Sequence, residues 1–275
     1  MNLEAIKAKL NALNNNGQER EKIDYDKIFW KPTNGKHNVR IVPSVYSPDF
    51  PFKELKFHYN IGKFPMIALS NFGKQDPIEE FVKELRKTSD KENWSLSGKL
   101  SPKTRVFAPV IVRGEEDKGV RLWSFGTNIY KALLALAEDE DIGDYTDVMN
   151  GYDMVVEQTP GNPYPTTTVR IKPKTSPLST DTTKVELWLK EQPNPLESFT
   201  QFDFDYIKNQ LHGYLNPGEE VNQAPAEASE PSTFVHEAPV IPGTGIMEEQ
   251  STFTLEAATE GKKTNASKFN DLFNE

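Results

Sequence analysis

The spacing of apolar residues divides the chain into extended and helical stretches. Apolar side chains alternate along residues 105–112 and return along residues 120–125 after a charged turn, which predicts a β-hairpin. Residues 152–158 and 166–171 predict a second hairpin around a Pro-Gly-Asn-Pro turn. We therefore expect residues 29–171 to consist mainly of strands and turns.

Helical periodicity, with apolar residues three and four positions apart, marks four further stretches. These stretches are residues 1–13, 77–87, 128–137 and 197–215. The first is too short to be stable alone, so we expect it to dock on the core or on a neighbouring molecule. At the other end of the chain, Phe269, Leu272 and Phe273 would share one face of a helix.

Composition separates a folded region from a tail near residue 213. Residues 214–275 hold 3 Lys and 11 Asp or Glu, a net charge of -8 out of -9 for the whole chain. Five prolines lie among Ala, Ser, Glu and Gln between residues 217 and 242, a composition typical of disordered linkers. The predicted organisation is an N-terminal arm (1–17), a folded core (18–213) and a disordered acidic tail (214–275).

Several classes of site are excluded or disfavoured by residue type. The chain has no cysteine, so disulfides and thiolate zinc sites are excluded. None of the four histidines has a metal-ligand spacing, and no phosphate-binding glycine loop is present. The acids at residues 139–144 are interpreted as solvated surface, with a metal-dependent nuclease site as the alternative. No stretch resembles a signal peptide or a membrane span, so we expect a soluble cytoplasmic protein. Because the sequence shows no catalytic constellation, we also expect that it is not an enzyme.

Cations and aromatic rings share strand positions in the first predicted hairpin. Lys103, Arg105 and Phe107 alternate along one strand, and Arg121 and Trp123 alternate along its partner. Such a mixed row suits a single-stranded nucleic acid, because cations contact phosphates and exposed rings stack on bases. The alternative is that both rings belong to the core, and spacing alone does not decide between the two. Further pairings of aromatic and basic residues occur at Trp94 and at Tyr164 with Lys172 and Lys174.

Local charge supports a basic surface despite the acidic total. Residues 53–121 hold 14 basic and 10 acidic residues, a net charge of +4. Because nucleic-acid binding depends on clustered cations rather than on the charge of the whole chain, the acidic tail does not exclude it.

Four patches carry a resemblance to a known family. They are Val-Arg-Ile-Val-Pro-Ser (39–44), Trp-Ser-Leu (94–96), Lys-Thr-Arg-Val-Phe-Ala (103–108) and Lys-Gly-Val-Arg-Leu-Trp-Ser-Phe-Gly (118–126). In this order and spacing the chain resembles the single-stranded DNA-binding (helix-destabilising) proteins of T-even-type tailed phages. The resemblance covers about residues 29–211 and the design of the tail.

The resemblance implies a mainly β fold with α insertions. It implies an OB-fold core with a large inserted subdomain, about residues 55–102, a short N-terminal helix and a disordered acidic tail. DNA would lie in a cleft between the core and the insertion. By matching to the family's motifs, cleft positions are taken by Arg40, Trp94, Phe107 and Trp123, with Lys103 and Arg105 on a basic strand.

The chain departs from the family in two places. The family's well-known member holds zinc through one His and three Cys, whereas this chain offers only His58 at that place. We expect no cofactor, with apolar packing across residues 60–76 in place of the metal. The family also docks on the next protomer through a basic N-terminal motif, for which this chain offers only Lys7 and Lys9.

The leading hypothesis from the sequence is cooperative, sequence-independent binding of single-stranded DNA in phage DNA replication, recombination and repair, in the cytoplasm of the infected bacterial host. The tail would recruit replication and recombination proteins through a terminal peptide. Its expected contact residues are Phe269, Asp271, Leu272 and Phe273. The alternatives are a regulator that binds single-stranded RNA and a protein-interaction scaffold.

Overall fold

The fold combines one large β-sheet with helices on both of its faces. The structure, a computed structural model, describes residues 25–47, 50–162, 164–217 and 264–273, and these form eight strands and seven α-helices. The strands are β1 (Phe29–Trp30), β2 (Gly35–Ile41), β3 (Lys53–His58), β4 (Met66–Ile67), β5 (Lys103–Val112), β6 (Arg121–Phe125), β7 (Tyr152–Thr159) and β8 (Thr166–Thr175). The helices are α1 (Tyr25–Ile28), α2 (Pro77–Arg86), α3 (Lys91–Leu100), α4 (Thr127–Glu138), α5 (Thr182–Lys190), α6 (Phe204–Leu215) and α7 (Asn265–Phe273).

Strand β5 organises the sheet, whose order is β1-β6-β5-β2-β7-β8. Along one edge of β5, its first half pairs with β3 and its second half with β2, while β6 occupies the other edge. All of these pairs are antiparallel, and only the short β1 runs parallel to its neighbour β6. Both predicted hairpins are present, as β5–β6 and β7–β8.

The two faces of the sheet bury different sets of side chains. On the face covered by α4, Val106 and Ala108 of β5 pack with Trp123 of β6 and Leu133 of α4. We call this the α4 face. On the opposite face, Phe107 packs with β3 residues and with a half-buried phenylalanine from the loop before α6. Because both faces of β5 are covered, the strand is apolar along most of its length.

A helical subdomain packs beside the sheet and consists of α2, α3, α6 and α7. Its apolar side chains form a cluster of their own, separate from the three clusters that involve the sheet. The buried members are Ile61, Met66, Leu69, Ile78, Phe81, Val82, Leu85, Leu100, Ile207, Leu211 and Phe269. The region 60–76 supplies three of these, in accord with the apolar packing expected there.

A buried carboxylate joins the helical subdomain to strand β3. Asp76 caps α2, since its Oδ1 accepts from the amides of Ile78 (3.0 Å) and Glu79 (3.1 Å). Its Oδ2 accepts from Nε2 of His58 (3.0 Å) and from the amide of Leu69 (2.8 Å). Four donors on three chain segments therefore converge on one side chain.

The two ends of the expected tail that the structure describes are helical. Helix α6 runs past residue 213 because Leu215 continues the i, i+4 apolar series begun by Ile207 and Leu211. Helix α7 places Phe269, Leu272 and Phe273 against the helical subdomain, so the predicted shared face is confirmed. Within the expected tail, residues 214–215 and 265–273 are therefore helical, and the disorder of the rest of the tail stays a prediction.

The N-terminal arm and the rest of the tail lie outside the described residues, so the assignments of Lys7 and Lys9 are not placed. Among the helices that the structure describes, none is long and apolar enough to cross a membrane.

Candidate nucleic-acid interface

The pairing of β5 with β6 separates the predicted row of cations and aromatics. Phe107 lies opposite Ser124, and Trp123 lies opposite Ala108. Since directly opposed residues share a face, Phe107 and Trp123 lie on opposite faces of the sheet. The expectation of one continuous stacking row across the hairpin is thereby corrected.

Both rings of this row belong to the core. Trp123 is 1% exposed and packs on the α4 face against Trp30 and Phe125, with centroid separations of 5.7 and 4.6 Å. Phe107 is buried on the opposite face, where its centroid lies 5.4 Å from that of Phe199. In this structure neither ring has a free surface on which a base could stack, which favours the core interpretation of both.

Arg40 is enclosed, and protein acceptors surround both of its terminal amino groups. Its Nη2 donates to the carbonyls of Asp147 (2.9 Å) and Ser176 (2.6 Å), and its Nη1 lies 3.5 Å from Oδ1 of Asp153. Burial lowers the pKa of Arg40, and the negative charge of Asp153 partly opposes that effect. The geometry is that of a structural arginine that joins strand β2 to the loop before β7 and to the segment after β8.

Arg121 is also held by a protein carboxylate. Its Nη2 donates to Oε2 of Glu115 at 2.7 Å, and Nζ of Lys118 contacts the same oxygen at 2.9 Å. These hydrogen bonds lower the pKa of Glu115, which lies in the turn between β5 and β6. Arg121 therefore fixes the hairpin turn, and it shares the negative charge of Glu115 with Lys118.

Arg105 has a different environment. It lies on the face opposite α4, and its Nε donates to Oγ of Ser124 at 3.3 Å. Burial lowers its pKa, and no carboxylate pairs with it among the residues that the structure describes. A half-buried guanidinium without a carboxylate partner retains most of its capacity to bind an anion.

Further polar groups lie beside Arg105. Helix α4 begins at Thr127, directly after Gly126, and no side chain caps its first turn. A Cβ atom at Gly126 would lie 3.7 Å from Nη1 of Arg105, so the guanidinium reaches the start of this helix. Helix N-termini present unpaired amide groups and a partial positive charge. Burial raises the pKa of nearby Tyr59, while the charge of Arg105 opposes that shift.

Lys103 and Trp94 lie at the border of the helical subdomain. Nζ of Lys103 is 3.4 Å from the carbonyl oxygen of Gly98 in α3. Trp94 is one turn earlier on the same helix and is 55% exposed, with its Nε1 bonded to the carbonyl of Thr88 at 3.0 Å. The structure thus brings Lys103 and Arg105 together on one strand, and leaves Trp94 as an open ring on the adjoining helix.

The remaining basic candidates lie on strand β8, at the far edge of the sheet. Lys172 and Lys174 belong to this strand, and Tyr164 lies in the turn before it. Strands β2 and β7 separate β8 from β5, so these residues are not gathered around Arg105. Neither lysine has an ion-pair partner in the described part of the chain.

Three groups near Arg105 were not anticipated from the sequence: Ser124, Tyr59 and the start of α4. The alternation of Leu55, Phe57 and Tyr59 is a strand signal that would have placed Tyr59 on the same face as Arg105. A glycine directly before a helical stretch was the corresponding signal for an uncapped helix start. Ser124 could have been placed on the same face as Arg105 only from the pairing register of β5 and β6.

The residues around His58 do not fit the zinc site that the family resemblance implies. No cysteine thiolate exists in the chain, and Nε2 of His58 is already bonded to Asp76. Within the described residues, no three His, Cys, Asp or Glu side chains group closely enough to hold a metal. The Asp76 carboxylate itself connects His58 of β3 to the segment at Leu69 and to the start of α2.

Comparison with known proteins identifies a family that this chain resembles. A family model described as gp32 DNA binding protein like matches residues 33–205, which span strands β2 to β8 and helices α2 to α5. No match is found among curated proteins. The resemblance noted in the sequence is confirmed by the family match.

Proposed function

Since the chain belongs to the gp32-like family of DNA-binding proteins, we propose that it binds single-stranded DNA without sequence preference and catalyses no reaction. The observation that carries this proposal is the unpaired, half-buried guanidinium of Arg105. Beside it lie the hydroxyl of Ser124 and the uncapped start of α4. All three are hydrogen-bond donors, and none of them reads a base edge.

These donors match the chemistry of a backbone phosphate. A guanidinium presents paired N–H groups to phosphate oxygens, and a helix N-terminus adds amide donors with a favourable dipole. Phosphate replaces the water that burial has removed from Arg105, so binding reduces the cost of desolvation. A site of this kind positions the strand and leaves base identity unread.

Trp94 supplies the stacking component of the proposed interface. Its ring is open to solvent on α3, and its indole N–H is fixed to Thr88, which orients the ring before DNA arrives. Stacking on an exposed ring tolerates any base. Lys103, close to the same helix, would follow the phosphates between Trp94 and Arg105.

We extend this proposal to the biological role of the protein. The core is an OB-fold with a helical insertion, and the protein coats single strands during phage DNA replication, recombination and repair in the bacterial cytoplasm. Lys7 and Lys9 contact the next protomer along DNA, which makes binding cooperative. The acidic tail recruits replication and recombination proteins through its terminal peptide. The family match and the charge distribution of the chain support this role.

The test is an Arg105→Ala variant, measured by tryptophan fluorescence during titration with oligo(dT). We expect affinity to fall by about 10- to 100-fold, the effect of losing hydrogen bonds to a charged group. The matched control is Arg86→Ala, because Arg86 is an exposed arginine of α2 whose Nη2 bonds only to Ser101 in the described structure. Its affinity should match that of the unmodified chain.

Two further measurements separate the possible outcomes. Thermal unfolding should show both variants folded, so that a loss of affinity is a loss of contact. Competition by oligo(rU) of the same length tests the choice of nucleic acid, and preference for the RNA would contradict the DNA assignment. Equal affinities of Arg105→Ala and Arg86→Ala would remove Arg105 from the interface.

A further inference from the structure

The terminal helix α7 buries one aromatic ring completely. Phe269 is 1% exposed, although it belongs to a helix of nine residues joined to the core only through residues 218–263. Thr264 directly precedes the helix and caps it, since its Oγ1 accepts from the amide of Ser267 at 3.1 Å. The segment therefore begins with a side-chain cap and carries a specific anchor residue.

A groove in the helical subdomain receives this ring. Phe269 packs edge-on against Phe81 of α2 at 6.1 Å and tilted against His212 of α6 at 5.3 Å. Phe273, one turn later, meets Phe204 at the start of α6 at 6.1 Å. The groove thus has one deep position for Phe269 and one shallow position for Phe273.

Two lysines add polar contacts at the rim of the groove. Nζ of Lys268 in α7 donates to Oδ1 of Asn93 at 2.9 Å. Nζ of Lys208 in α6 donates to the carbonyl of Phe273 at 3.0 Å and lies 5.4 Å from the centroid of its ring. A cation at the C-terminal carbonyls of a helix is favourable, so Lys208 selects the orientation of α7.

The size of this contact indicates that it is reversible. An isolated helix of nine residues is not stable in water, so α7 forms only while the groove holds it. One fully buried ring and two half-buried apolar side chains oppose the conformational entropy lost in ordering nine residues. Such opposing contributions nearly cancel, which is the condition for an exchangeable contact.

We propose that the groove between α2, α3 and α6 is an exchangeable receptor for an amphipathic helix, and that α7 of the same chain occupies it. Docking hides Phe269, one of the four tail residues expected to contact partner proteins. This consequence rests on the proposed recruitment through the tail. A partner protein and the groove therefore compete for one helix face, and the tail recruits only while undocked.

The test uses the full chain labelled with ¹⁵N and an unlabelled peptide of residues 261–275, without DNA. Excess peptide should move the amide resonances of α7 in the labelled chain to the positions of the free peptide. Resonances of α2 and α6 around the groove should stay in place, because the unlabelled helix occupies the same site. The same peptide with Phe269→Ala should displace nothing.

Variants of the full chain test the individual contacts by hydrogen exchange. Phe269→Ala should raise the exchange of the α7 amides by about tenfold, through loss of the buried ring. Lys208→Ala should raise it less, since it removes only the contacts to Phe273. Lys83→Ala, an exposed lysine of α2, is the matched control and should leave the exchange unchanged.

Specific results would overturn the proposal. If saturating peptide leaves the α7 resonances in place, α7 is a permanent part of the core. If dilution of the labelled chain alone undocks α7, the occupant comes from another molecule. Because neither experiment contains DNA, their failure is separate from a failure of the Arg105 test.

Discussion

Arg40 and Arg105 are both withdrawn from solvent, but in the described structure only Arg40 is surrounded by carbonyl and carboxylate acceptors. Arg40 donates to two carbonyls and lies beside Asp153, whereas Arg105 has a single serine hydroxyl as its described partner. Burial lowers the pKa of both guanidinium groups. Burial of a cation therefore does not distinguish a structural role from a binding role, and the presence of acceptors does.

The tryptophans repeat this contrast with aromatic rings. Trp123 is enclosed by Trp30 and Phe125 on the α4 face, while Trp94 lies open on α3 with its N–H already bonded. Enclosed groups stabilise the sheet, and open groups at the border between sheet and helices remain for a ligand. This division predicts separate effects on stability and on binding.

The largest expected effect is on the enclosed arginine. Arg40→Ala should lower the free energy of unfolding by about 3–5 kcal/mol, because buried acceptors lose their donor. Urea unfolding followed by circular dichroism measures this change. Arg105→Ala should stay within about 1 kcal/mol of the unmodified chain. Equal destabilisation by both substitutions would abolish the distinction between the two arginines.

A second prediction concerns the tryptophans. Trp94→Ala should weaken oligo(dT) binding by about 1–3 kcal/mol, the range for a ring that stacks on a base, and leave the midpoint of unfolding unchanged. Trp123→Ala should instead destabilise the fold by about 3–5 kcal/mol through the cavity that it leaves. If Trp94→Ala binds oligo(dT) normally, the exposed ring on α3 lies outside the interface.

A third prediction concerns Asp76, a buried carboxylate that is surrounded by protein donors, as Arg40 is surrounded by acceptors. Burial alone would raise the pKa of Asp76, but hydrogen bonds from His58 and from the amides of Leu69 and Glu79 outweigh it, so the pKa is lowered. A lowered pKa in the folded state gives stability that is present above the unfolded pKa, about 3.9, and is lost as pH falls through the folded value.

The measurement is unfolding by urea between neutral and acidic pH. Asp76→Asn should cost about 1–3 kcal/mol at pH 7, because a buried acceptor is replaced. Its stability should then fall less steeply in acid than that of the unmodified chain. If the free energies of unfolding of the two proteins fall in parallel as the pH is lowered, Asp76 is not the cause of the loss of stability in acid.

The β5–β6 hairpin shows how far the sequence could predict the site. Alternation along each strand correctly indicated both strands and placed Lys103, Arg105 and Phe107 on one face. Alternation assigns faces only within a strand. The face of Trp123 depends on the register between strands, and a shift of one residue reverses it.

The helical subdomain shows a different limit of prediction from the sequence. The apolar spacing of α2, α6 and α7 was readable from the sequence, including the shared face of Phe269, Leu272 and Phe273. The same spacing fits a helix that awaits a partner and a helix that is docked on its own core. Only the three-dimensional contacts of Phe269 with Phe81 and His212 show that α7 is docked on its own core.

The smallest expected effect concerns single lysines at the far edge of the sheet. Lys172 has no ion-pair partner in the described structure, whereas Lys36 on β2 lies 3.6 Å from Glu157. If the phosphates of bound DNA extend from Arg105 to β8, Lys172→Ala should reduce the salt dependence of oligo(dT) binding. The slope of log affinity against log salt concentration should then change by about 0.7. Lys36→Ala should leave the slope unchanged, because its charge is already balanced. Equal slopes for both variants would confine the interface to the Arg105 side of the sheet, since strands β2 and β7 lie between.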